Sequence, residues 1–409
     1  MKNIKTCRAC DSSRLTPFLD LGEQYLSDFR RDDTKTPKYP IKAIFCEDCT
    51  LVQLDFTTPQ AEMYHDRYGF KSGVSDSIKK DLDSIVLHAF QYVNDPGSWL
   101  DIASNDGTLL SFVPDLPGWK IGVDPVSFLC KEADALNMYG TYIVNDYFSA
   151  EAVPVDEFDV ITSVSCFYDM PDPNKFVSDV KSVLAAKGVW VIQQNYLLTT
   201  MELSAVDNFC HEHIEYYTLY SLEKLLNKHG LEVNEVYLSD VNGGSIRTIV
   251  SHQGTFDIDQ SVYTQRMAED HYGVTKAQTY HDFASRVFYQ LNRLRRVLTE
   301  LKDEGKRTVI LAASTRGATI WQSAEIGPEL VEAAVERNPA KVGAMFTAVG
   351  IPIISEEEFR AGKFDYAIIG PWFFADEIIS REKDYVMGGG QLIKPLPEVK
   401  VIGKDYFRK

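Results

Sequence analysis

The chain has 409 residues and a formal net charge of −17, with 44% hydrophobic and 25% charged residues. This length is too great for one hydrophobic core and predicts two or three domains, and the composition is that of a folded globular protein. The negative charge and the lack of a long basic run argue against a non-specific nucleic-acid binder, because phosphate contacts need clustered Lys and Arg.

The N-terminal ten residues, MKNIKTCRAC, lack the apolar stretch of a secretion signal. No apolar run approaches the ~20 residues that are needed to cross a bilayer. We therefore expect a cytoplasmic protein, monomer or homodimer, with neither nucleic acid nor membrane as a partner. In a reducing compartment, close cysteine pairs are typical of metal sites more than of disulfides.

Two Cys-x2-Cys pairs occur within the first 50 residues, Cys7 with Cys10 and Cys46 with Cys49. Four thiolates that leave no open position form a closed tetrahedral zinc site, which is structural and not catalytic. Metal binding would supply the folding energy that this small segment otherwise lacks. Unrelated cysteines, a redox pair and an iron centre are the alternatives. We predict that residues 1–66 form a zinc-binding domain with one structural zinc ion.

Residues 67–256 alternate helical stretches with short apolar runs. This alternation predicts a second domain built on a mainly parallel sheet with helices on both faces. Its candidate strands are Ser98–Ile102, Lys120–Val123, Phe158–Val164 and Val189–Gln193.

The loop after the first of these strands predicts a nucleotide site. Its small residues let the backbone approach a ligand at the start of a helix near Gly107. Asp124 ends the next strand 17 residues later, where an acid can accept hydrogen bonds from ribose hydroxyls. The loop lacks G-x-G-x-x-G; it reads D-x-A-x-N-D-G and resembles the glycine-rich loop of class I methyltransferases, with Ala103 at the first glycine. A domain for another nucleotide is the alternative. The cofactor-binding candidates are Asp101, Ala103, Asn105, Asp106, Gly107, Asp124 and Pro125.

A dense group of titratable side chains follows, with two imidazoles, two carboxylates and two phenols between His211 and Tyr217. The zinc-protease motif H-E-x-x-H needs histidines four apart, whereas His211 and His213 are two apart, so that interpretation fails. A base poised near neutral pH and oriented by the carboxylate of Glu212 fits better. Structural histidines beside core tyrosines are the alternative.

Residues 257–409 predict a third domain. Residues 260–305 have the spacing of long helices, and a second α/β alternation follows them. In the loop after its first strand, backbone amides with Ser314, Thr315 and Arg316 predict a diphosphate site. Arg247 is a second anion candidate, and Glu336 and Arg337 are candidates for nucleoside contacts. A lobe that only packs and shields is the alternative. The candidate strands are Thr308–Ala312, Leu330–Val335, Lys341–Met345 and Tyr366–Ile369, and a helix is the alternative for Leu330–Val335.

Taken together, these motifs resemble the sugar C-methyltransferases of deoxysugar biosynthesis, over nearly the whole chain. The resemblance implies a zinc-binding N-terminal domain, a class I methyltransferase (Rossmann-like) middle domain and a second Rossmann-like C-terminal domain. The segments that carry it, besides the cysteine pairs and the cofactor loop, are Cys210–Thr218, Asn242–Arg247, Ala313–Gly317, Glu336–Lys341, Pro371–Trp372 and Pro395–Pro397.

The resemblance also implies a reaction. The cofactor would be S-adenosylmethionine, and the substrate a nucleotide-diphosphate-linked deoxysugar whose 4-keto group acidifies the neighbouring carbon, C3. His213 would remove that proton, with Glu212 holding the sugar or the imidazole. Tyr68 would support the sugar or act as an alternative base, and His211 or a tyrosine would stabilise the enolate.

Two positions depart from the family pattern. Asp169 and Asn242 stand where many relatives carry histidine, which leaves the substituents of the sugar and the methylated position open. Both Asp169 and Asn195 are included among the substrate-binding candidates.

Three rival functions fit the sequence less well. A nicotinamide-dependent oxidoreductase or epimerase would need G-x-G-x-x-G, which is missing, or Tyr-x-x-x-Lys at a suitable strand end. A zinc-ribbon adaptor would show a basic face. A methyltransferase for a sugar oxygen or nitrogen would need no carbon acid.

Overall fold

The structure is a computed structural model, and it describes residues 3–32, 36–64 and 71–408. The chain divides into two compact units. The first comprises Met1–Thr16, Ile44–Thr199 and Glu212–Ala277, and the second comprises Pro17–Ala43, Thr200–His211 and Gln278–Lys409. The three-domain division with boundaries at residues 66 and 256 stays a prediction.

Short strands and turns make up the cysteine-containing segment, which has no α-helix within residues 3–32 and 36–60. The last of its strands, β4, pairs antiparallel with a two-residue strand that follows the His-Glu-His motif. The strands of the segment are β1 (Leu15–Tyr25), β2 (Phe29–Arg30), β3 (Lys38–Cys46) and β4 (Val52–Leu54).

A seven-stranded sheet forms the centre of the first unit, in the order β11-β12-β9-β8-β5-β6-β7. The five strands from β7 to β9 are parallel, and β12 and β11 continue the sheet antiparallel. The strands are β5 (Trp99–Ile102), β6 (Lys120–Val123), β7 (Thr141–Val144), β8 (Phe158–Val164), β9 (Leu184–Asn195), β10 (Glu215–Tyr216, outside this sheet), β11 (Leu231–Ser239) and β12 (Ser245–His252).

Helices connect these strands, as the apolar periodicity predicts. Apolar residues of α1 pack with Trp99, Val160 and Val189 of the strands in one buried cluster. The helices are α1 (Asp76–Ala89), α2 (Thr108–Phe112), α3 (Ser127–Ala135), α4 (Pro173–Val183), α5 (Leu197–Glu202), α6 (Leu219–Lys228) and α7 (Gln260–Tyr272). This arrangement confirms the predicted Rossmann-like middle domain.

The second unit has an eight-stranded sheet, in the order β19-β18-β17-β13-β14-β16-β15-β2. Its central strands β18, β17, β13, β14 and β16 are parallel, which confirms a second Rossmann-like sheet. The strands are β13 (Thr308–Leu311), β14 (Ala334–Glu336), β15 (Met345–Phe346), β16 (Ile351–Ser355), β17 (Tyr366–Ile369), β18 (Gln391–Lys394) and β19 (Lys400–Ile402).

A 27-residue helix, α8 (Ala277–Asp303), precedes this sheet and buries Phe283, Val287, Leu291 and Leu294 along one face, as their spacing predicts. The described part of the chain contains no helix with the length and apolar character of a membrane span. The remaining helices are α9 (Thr315–Ser323), α10 (Glu356–Ala361), α11 (Ala375–Arg381) and α12 (Lys383–Met387).

Two of the predicted strands are only partly right. Leu330 and Val331 close a turn by hydrogen bonds to the carbonyl of Gly327, so β14 begins only at Ala334. The run Lys341–Met345 is mostly a turn, because Gly343 adopts a φ of 80°, and a strand begins only at its last residue.

Candidate active site and metal centre

The four predicted metal ligands converge. All four cysteine Sγ atoms lie within 4.8 Å of one another. The Cys7–Cys49 and Cys10–Cys46 sulfur pairs are 3.4 and 3.6 Å apart, and none of the four is in a disulfide. Four thiolates around zinc at ~2.3 Å lie roughly 3.8 Å from each other, so this donor set fits a tetrahedral zinc ion.

The two cysteine pairs have the same backbone turn. The residue after each pair, Asp11 or Thr50, is left-handed, with φ of 60° and 64°. Its amide donates to the carbonyl of the first cysteine of the pair, Cys7 or Cys46, at 2.9 Å in both cases. This repeated turn brings both sulfur atoms of a pair to one side, as a shared metal requires.

The loop between β5 and α2 has an unusual backbone. Ala103, Asn105 and Gly107 all have positive φ, at 59°, 52° and 77°. Left-handed alanine is strained relative to glycine, which explains why class I loops carry glycine where this chain has Ala103. The amide of Ser72 donates to Asn105 Oδ1, and the amide of Gly73 donates to an Asp106 carboxylate oxygen. These side chains therefore hold the loop against residues 72–73.

Two buried acids end neighbouring strands beside this loop. The Asp124 carboxylate accepts hydrogen bonds from the amides of Asn105, at 3.0 Å, and Val126, at 2.8 Å, and burial raises its pKa. Asp101 accepts one from the hydroxyl of Thr162 at 2.7 Å, and burial raises its pKa to about 7. Both carboxyls are thereby fixed at the carboxyl edge of the sheet.

Two cavities meet at this edge. The larger encloses about 840 Å³ including its open mouth, and its lining includes Asp124, Pro125, Tyr147, Phe148 and Asp169. The smaller, of about 500 Å³, is lined by Asp101, Asp81 and Gln193 among others. Both share Ser72, Ala103, Val164 and Ser165. Together they form one cleft with an apolar, aromatic end and a polar, acidic end.

The catalytic candidates Glu212 and His213 lie in the first unit. A carboxylate oxygen of Glu212 lies within 4.8 Å of a ring nitrogen of His213. Burial raises the pKa of Glu212 to about 7. The imidazole is buried and packs on the ring of Tyr168 at a centroid distance of 4.3 Å, while the hydroxyl of Tyr216 donates to the His213 carbonyl at 2.6 Å. Tyr68 lies outside the described residues.

Asp169 lines the larger cavity. Its Oδ2 accepts a hydrogen bond from the hydroxyl of Tyr64 at 2.9 Å, and within the described residues its buried Oδ1 has no hydrogen-bond partner. Burial, and next the charge of Glu212, raise the pKa of Asp169 well above its ordinary value. Tyr64 was not predicted as a site residue, although it lies four residues before the catalytic candidate Tyr68 in the sequence.

The structure gives His211 and Arg247 internal partners. In the second unit, His211 Nε2 is 3.0 Å from the Tyr39 carbonyl, and burial lowers the His211 pKa to about 4. Nε2 therefore carries the proton that faces that carbonyl, and the remaining ring nitrogen is an acceptor. This geometry favours a structural role over the predicted donor role in catalysis.

Arg247 is 2% exposed and donates to Gln193 at 2.7 Å, to the hydroxyl and carbonyl of Ser84, and to Asp81. Its guanidinium is thus committed to a buried network, which favours a structural role over the predicted binding of a phosphate. Asp81 and Gln193 were not selected from the sequence; an acid on the apolar face of α1 was the signal.

Asn195 and Asn242 lie near each other in the topology. Asn195 is the last residue of β9 and is the Cα partner of Ser245, the first residue of β12. Asn242 lines the smaller cavity and has a φ of 57°, a conformation that asparagine tolerates better than most residues. The structure therefore supplies a backbone reason for asparagine at this departure from the family pattern.

In the second unit, the predicted diphosphate loop joins β13 to α9. The Ser314 hydroxyl caps α9 by accepting from the Gly317 amide at 3.1 Å. Arg316 donates to Asp207 at 2.8 Å and stacks on the ring of Phe373 at 4.7 Å. Thr315 is the first residue of the helix. The loop thus has the predicted strand–turn–helix form, with Arg316 already in an ion pair.

Glu336 is the last residue of β14, the parallel neighbour of β13, so the loop after it lies beside the Ser314 loop. Lys341, which the sequence analysis did not select, connects the two: it donates to the Ala313 carbonyl at 3.0 Å and lies 3.6 Å from Glu336. Burial lowers the pKa of Lys341. Arg337 is largely exposed and lies 4.0 Å from Glu356.

Two indole donors near this loop have no partner among the described residues. Trp321 on α9 and Trp372 after β17 are 0% and 3% exposed, and neither Nε1 has an acceptor. β17 lies on the other side of β13 from β14, which makes this edge a topological switch point, the usual ligand position in such sheets.

Three family models match consecutive parts of the chain. Residues 7–64 match a zinc binding domain, residues 76–236 a methyltransferase domain, and residues 240–397 a C-methyltransferase C-terminal domain. The C-methyltransferase NovU of Streptomyces niveus is 25% identical over 425 residues, which cover 99% of this chain and 98% of that protein. The chain is therefore an S-adenosylmethionine-dependent methyltransferase that is similar to a C-methyltransferase over nearly its full length. Its cofactor is S-adenosylmethionine, and its four-cysteine centre is a zinc site.

Solved structures with partial similarity are also methyltransferases. The plantazolicin methyltransferase BpumL in complex with SAH is 15% identical, with a TM-score of 0.34, over 42% of this chain and 84% of that chain. A S-adenosylmethionine-dependent methyltransferase from Clostridium acetobutylicum ATCC 824 is 14% identical, with a TM-score of 0.36, over 44% of this chain and 94% of that chain.

Proposed function

We propose that this methyltransferase methylates C3 of a nucleotide-linked 4-keto deoxysugar through an enolate, in branched-sugar biosynthesis. The observation that carries the proposal is the proximity of Glu212 to the buried His213, in the same unit as the cofactor cleft. An oxygen or nitrogen acceptor needs no carbon acid, whereas a base held beside a carboxyl group suits proton abstraction next to a carbonyl. The name of NovU, a C-methyltransferase, supports carbon as the acceptor.

The cleft supports an assignment of the cofactor's parts. We assign Asp124, at the aromatic end, to the ribose hydroxyls, and Pro125, Tyr147 and Phe148 to the adenine. Asp101 at the acidic end is placed for the methionine ammonium group. Bound S-adenosylmethionine supplies an electrophilic methyl group.

The residues of the chain perform the proton chemistry. His213 takes the proton from the carbon next to the keto group as the enolate forms. Glu212 orients the imidazole and stabilises the imidazolium, because a carboxylate beside a protonated ring is favourable in a buried site. His211 already donates to a backbone carbonyl. The hydrogen-bond donor to the enolate oxygen is therefore Tyr68 or another residue that lines the cleft.

We propose that the substrate diphosphate binds at the start of α9 in the second unit. The helix amides after Ser314, the indole donors of Trp321 and Trp372, and the nearby Lys341 supply hydrogen bonds and positive charge. Glu336 and Arg337 are then placed for the nucleoside.

The test separates proton abstraction from methyl transfer. A panel of dTDP-, GDP-, CDP- and UDP-linked 4-keto-6-deoxy sugars is incubated with the protein and S-adenosylhomocysteine in D₂O. We expect the wild-type protein to exchange the C3 hydrogen of one substrate, and His213→Gln to lower the exchange rate by roughly 10²–10⁴-fold. His252→Gln is the matched control, because His252 bonds only a backbone carbonyl of the same unit among the contacts observed.

Hydrogen exchange at C5 instead of C3 would refute C3 as the methylated carbon and indicate C5. Methylation of a sugar hydroxyl or amine without any hydrogen exchange would refute the enolate route.

A further inference from the structure

The zinc centre has a direct hydrogen bond from outside its ligand set. Gln53, which is fully buried on β4, donates from Nε2 to the Cys7 sulfur at 3.2 Å. Its Oε1 accepts from the Arg8 amide at 3.1 Å and from the Arg8 guanidinium at 3.3 Å. One side chain therefore fixes both a metal ligand and the residue after it, as outer groups of metal sites do.

Arg8 carries this connection further. Its guanidinium donates to the Leu54 carbonyl at 2.7 Å and to the Thr57 hydroxyl at 2.8 Å. Burial lowers the Arg8 pKa, and the charge of Glu215 opposes that change. The first cysteine turn is thus attached to β4 and the residues after it by four hydrogen bonds from one arginine.

The strand β4 is paired with the catalytic segment. Gln53 is the Cα partner of Glu215, and Val52 that of Tyr216. The Leu54 amide donates to the Ile214 carbonyl at 2.8 Å. Ile214 directly follows His213, so the position of the proposed base is set by β4.

Glu215 is buried opposite Gln53. Its Oε2 accepts a hydrogen bond from the Tyr217 hydroxyl at 2.5 Å, and Oε1 has no partner in the described part of the chain. Burial raises the pKa of Glu215 to about 8, and the charge of Arg8 opposes the rise. Arg8 is therefore the cation that faces the acid two residues after His213.

We propose that Gln53 and Arg8 are positioning residues that connect the zinc-bound Cys7 to the strand β10 and thereby hold Glu212 and His213 in place for proton abstraction. The zinc ion then serves the reaction at a distance, without contacting substrate or cofactor. The inference rests on the proposed role of His213 as base.

Hydrogen exchange of the protein backbone tests the connection without any substrate. The variants are Gln53→Glu, which keeps the acceptor for Arg8 but loses the donor to Cys7, and Arg8→Met, which leaves the four thiolates and the Gln53 donor intact. Lys224→Met is the control, because Lys224 donates at 2.7 Å to Asp48 in the other cysteine turn and has no contact with β4 or β10 among those observed. Zinc content, S-adenosylhomocysteine affinity and hydrogen exchange of the substrate are measured for every variant.

We expect faster amide exchange in peptides covering residues 212–217 for both variants, and for wild-type protein after chelation, with residues 99–107 unchanged. Gln53→Glu should also lose zinc to a chelator roughly 10–100-fold faster than the wild type. In both variants kcat should fall by roughly 10–100-fold, while the Kd for S-adenosylhomocysteine stays within about twofold of the wild-type value. Lys224→Met should match the wild type. Unchanged exchange at 212–217 with normal kcat in Arg8→Met would overturn the proposal, even if Gln53→Glu fails to fold. Failure of His213 as base would instead appear as normal substrate exchange in His213→Gln.

Discussion

The cofactor loop allows two effects of an added methyl group to be separated. Gly107 has a φ of 77°, and a Cβ there would lie 2.9 Å from the Ala133 Cβ and 3.2 Å from its Cα. Gly254 has a φ of 78° and nothing within 4 Å of the same Cβ position. Gly107→Ala and Gly254→Ala therefore share the backbone strain, and only the first adds a steric contact.

The magnitudes follow from these distances. A left-handed alanine costs about 1–2 kcal/mol, and the reduced freedom of the unfolded chain returns about 0.4–1 kcal/mol. We therefore expect Gly254→Ala to lower the free energy of unfolding by about 0.5–1.5 kcal/mol. Overpacking adds about 1–3 kcal/mol, because a backbone atom of Ala133 must move, so Gly107→Ala should cost about 2–4 kcal/mol.

Urea unfolding followed by tryptophan fluorescence measures the free energy of unfolding of both variants. The transition to use is the one that S-adenosylhomocysteine shifts to higher urea, because it reports the unit that contains the cofactor loop. Calorimetric titration of the same ligand should show weaker binding for Gly107→Ala alone. Ala133→Gly in the Gly107→Ala background removes the opposing methyl and should restore part of the loss. Equal destabilisation by Gly107→Ala and Gly254→Ala would refute the argument from contact.

Three further predictions concern the same cleft. Asp124→Ala should weaken S-adenosylhomocysteine binding by about 10–100-fold, the worth of a charged hydrogen bond, as measured by calorimetry; unchanged affinity would remove Asp124 from the ribose. Ala103→Gly should retain that affinity and raise the free energy of unfolding by up to about 1 kcal/mol, since it relieves a φ of 59°; destabilisation in urea would contradict the strain. Burial raises the pKa of Asp101 from 3.8 to about 7, so the folded state binds this proton more tightly than the unfolded state. Asp101 therefore lowers the stability of the ligand-free protein as the pH rises from about 4 to about 7. Asp101→Asn should flatten that slope in urea titrations at several pH values; an identical slope would show that Asp101 titrates normally.

Local patterns predicted the central strands and the metal ligands well. The strands β6, β8 and β17 have the expected bounds, because each is a short, mainly apolar and mostly buried run. The four cysteines needed only their spacing. The antiparallel strands β11 and β12, which pair with each other, were not predicted, because polar residues interrupt their apolar runs. Glu235 on β11 and Arg247 on β12 bond to His88 and Asp81 of α1, which are distant in sequence.

The roles of the charged residues were harder to predict. Arg247 was selected as a second anion candidate, yet its partners Asp81 and Ser84 come from α1, more than 160 positions away. The sequence offers no basis for choosing between His211 and His213; their tertiary contacts separate them, since His211 bonds to the Tyr39 carbonyl and His213 packs on Tyr168 beside Glu212. Such roles depend on tertiary pairing, which residue spacing does not encode.

The way the chain passes between its units has a consequence for synthesis on the ribosome. The edge strand of the second sheet, β2, is made near the start of the chain, but its partner β15 begins at Met345. At about 5–20 residues per second, roughly 15–60 s separate the two. During that time the early strand has exposed backbone groups without their final partner, so the nascent protein has a period in which chaperone binding or wrong strand pairing competes with completion of the sheet. Neither unit can be released as one uninterrupted stretch of polypeptide, and cutting the gene between its halves should yield two fragments that fold only when they are produced together.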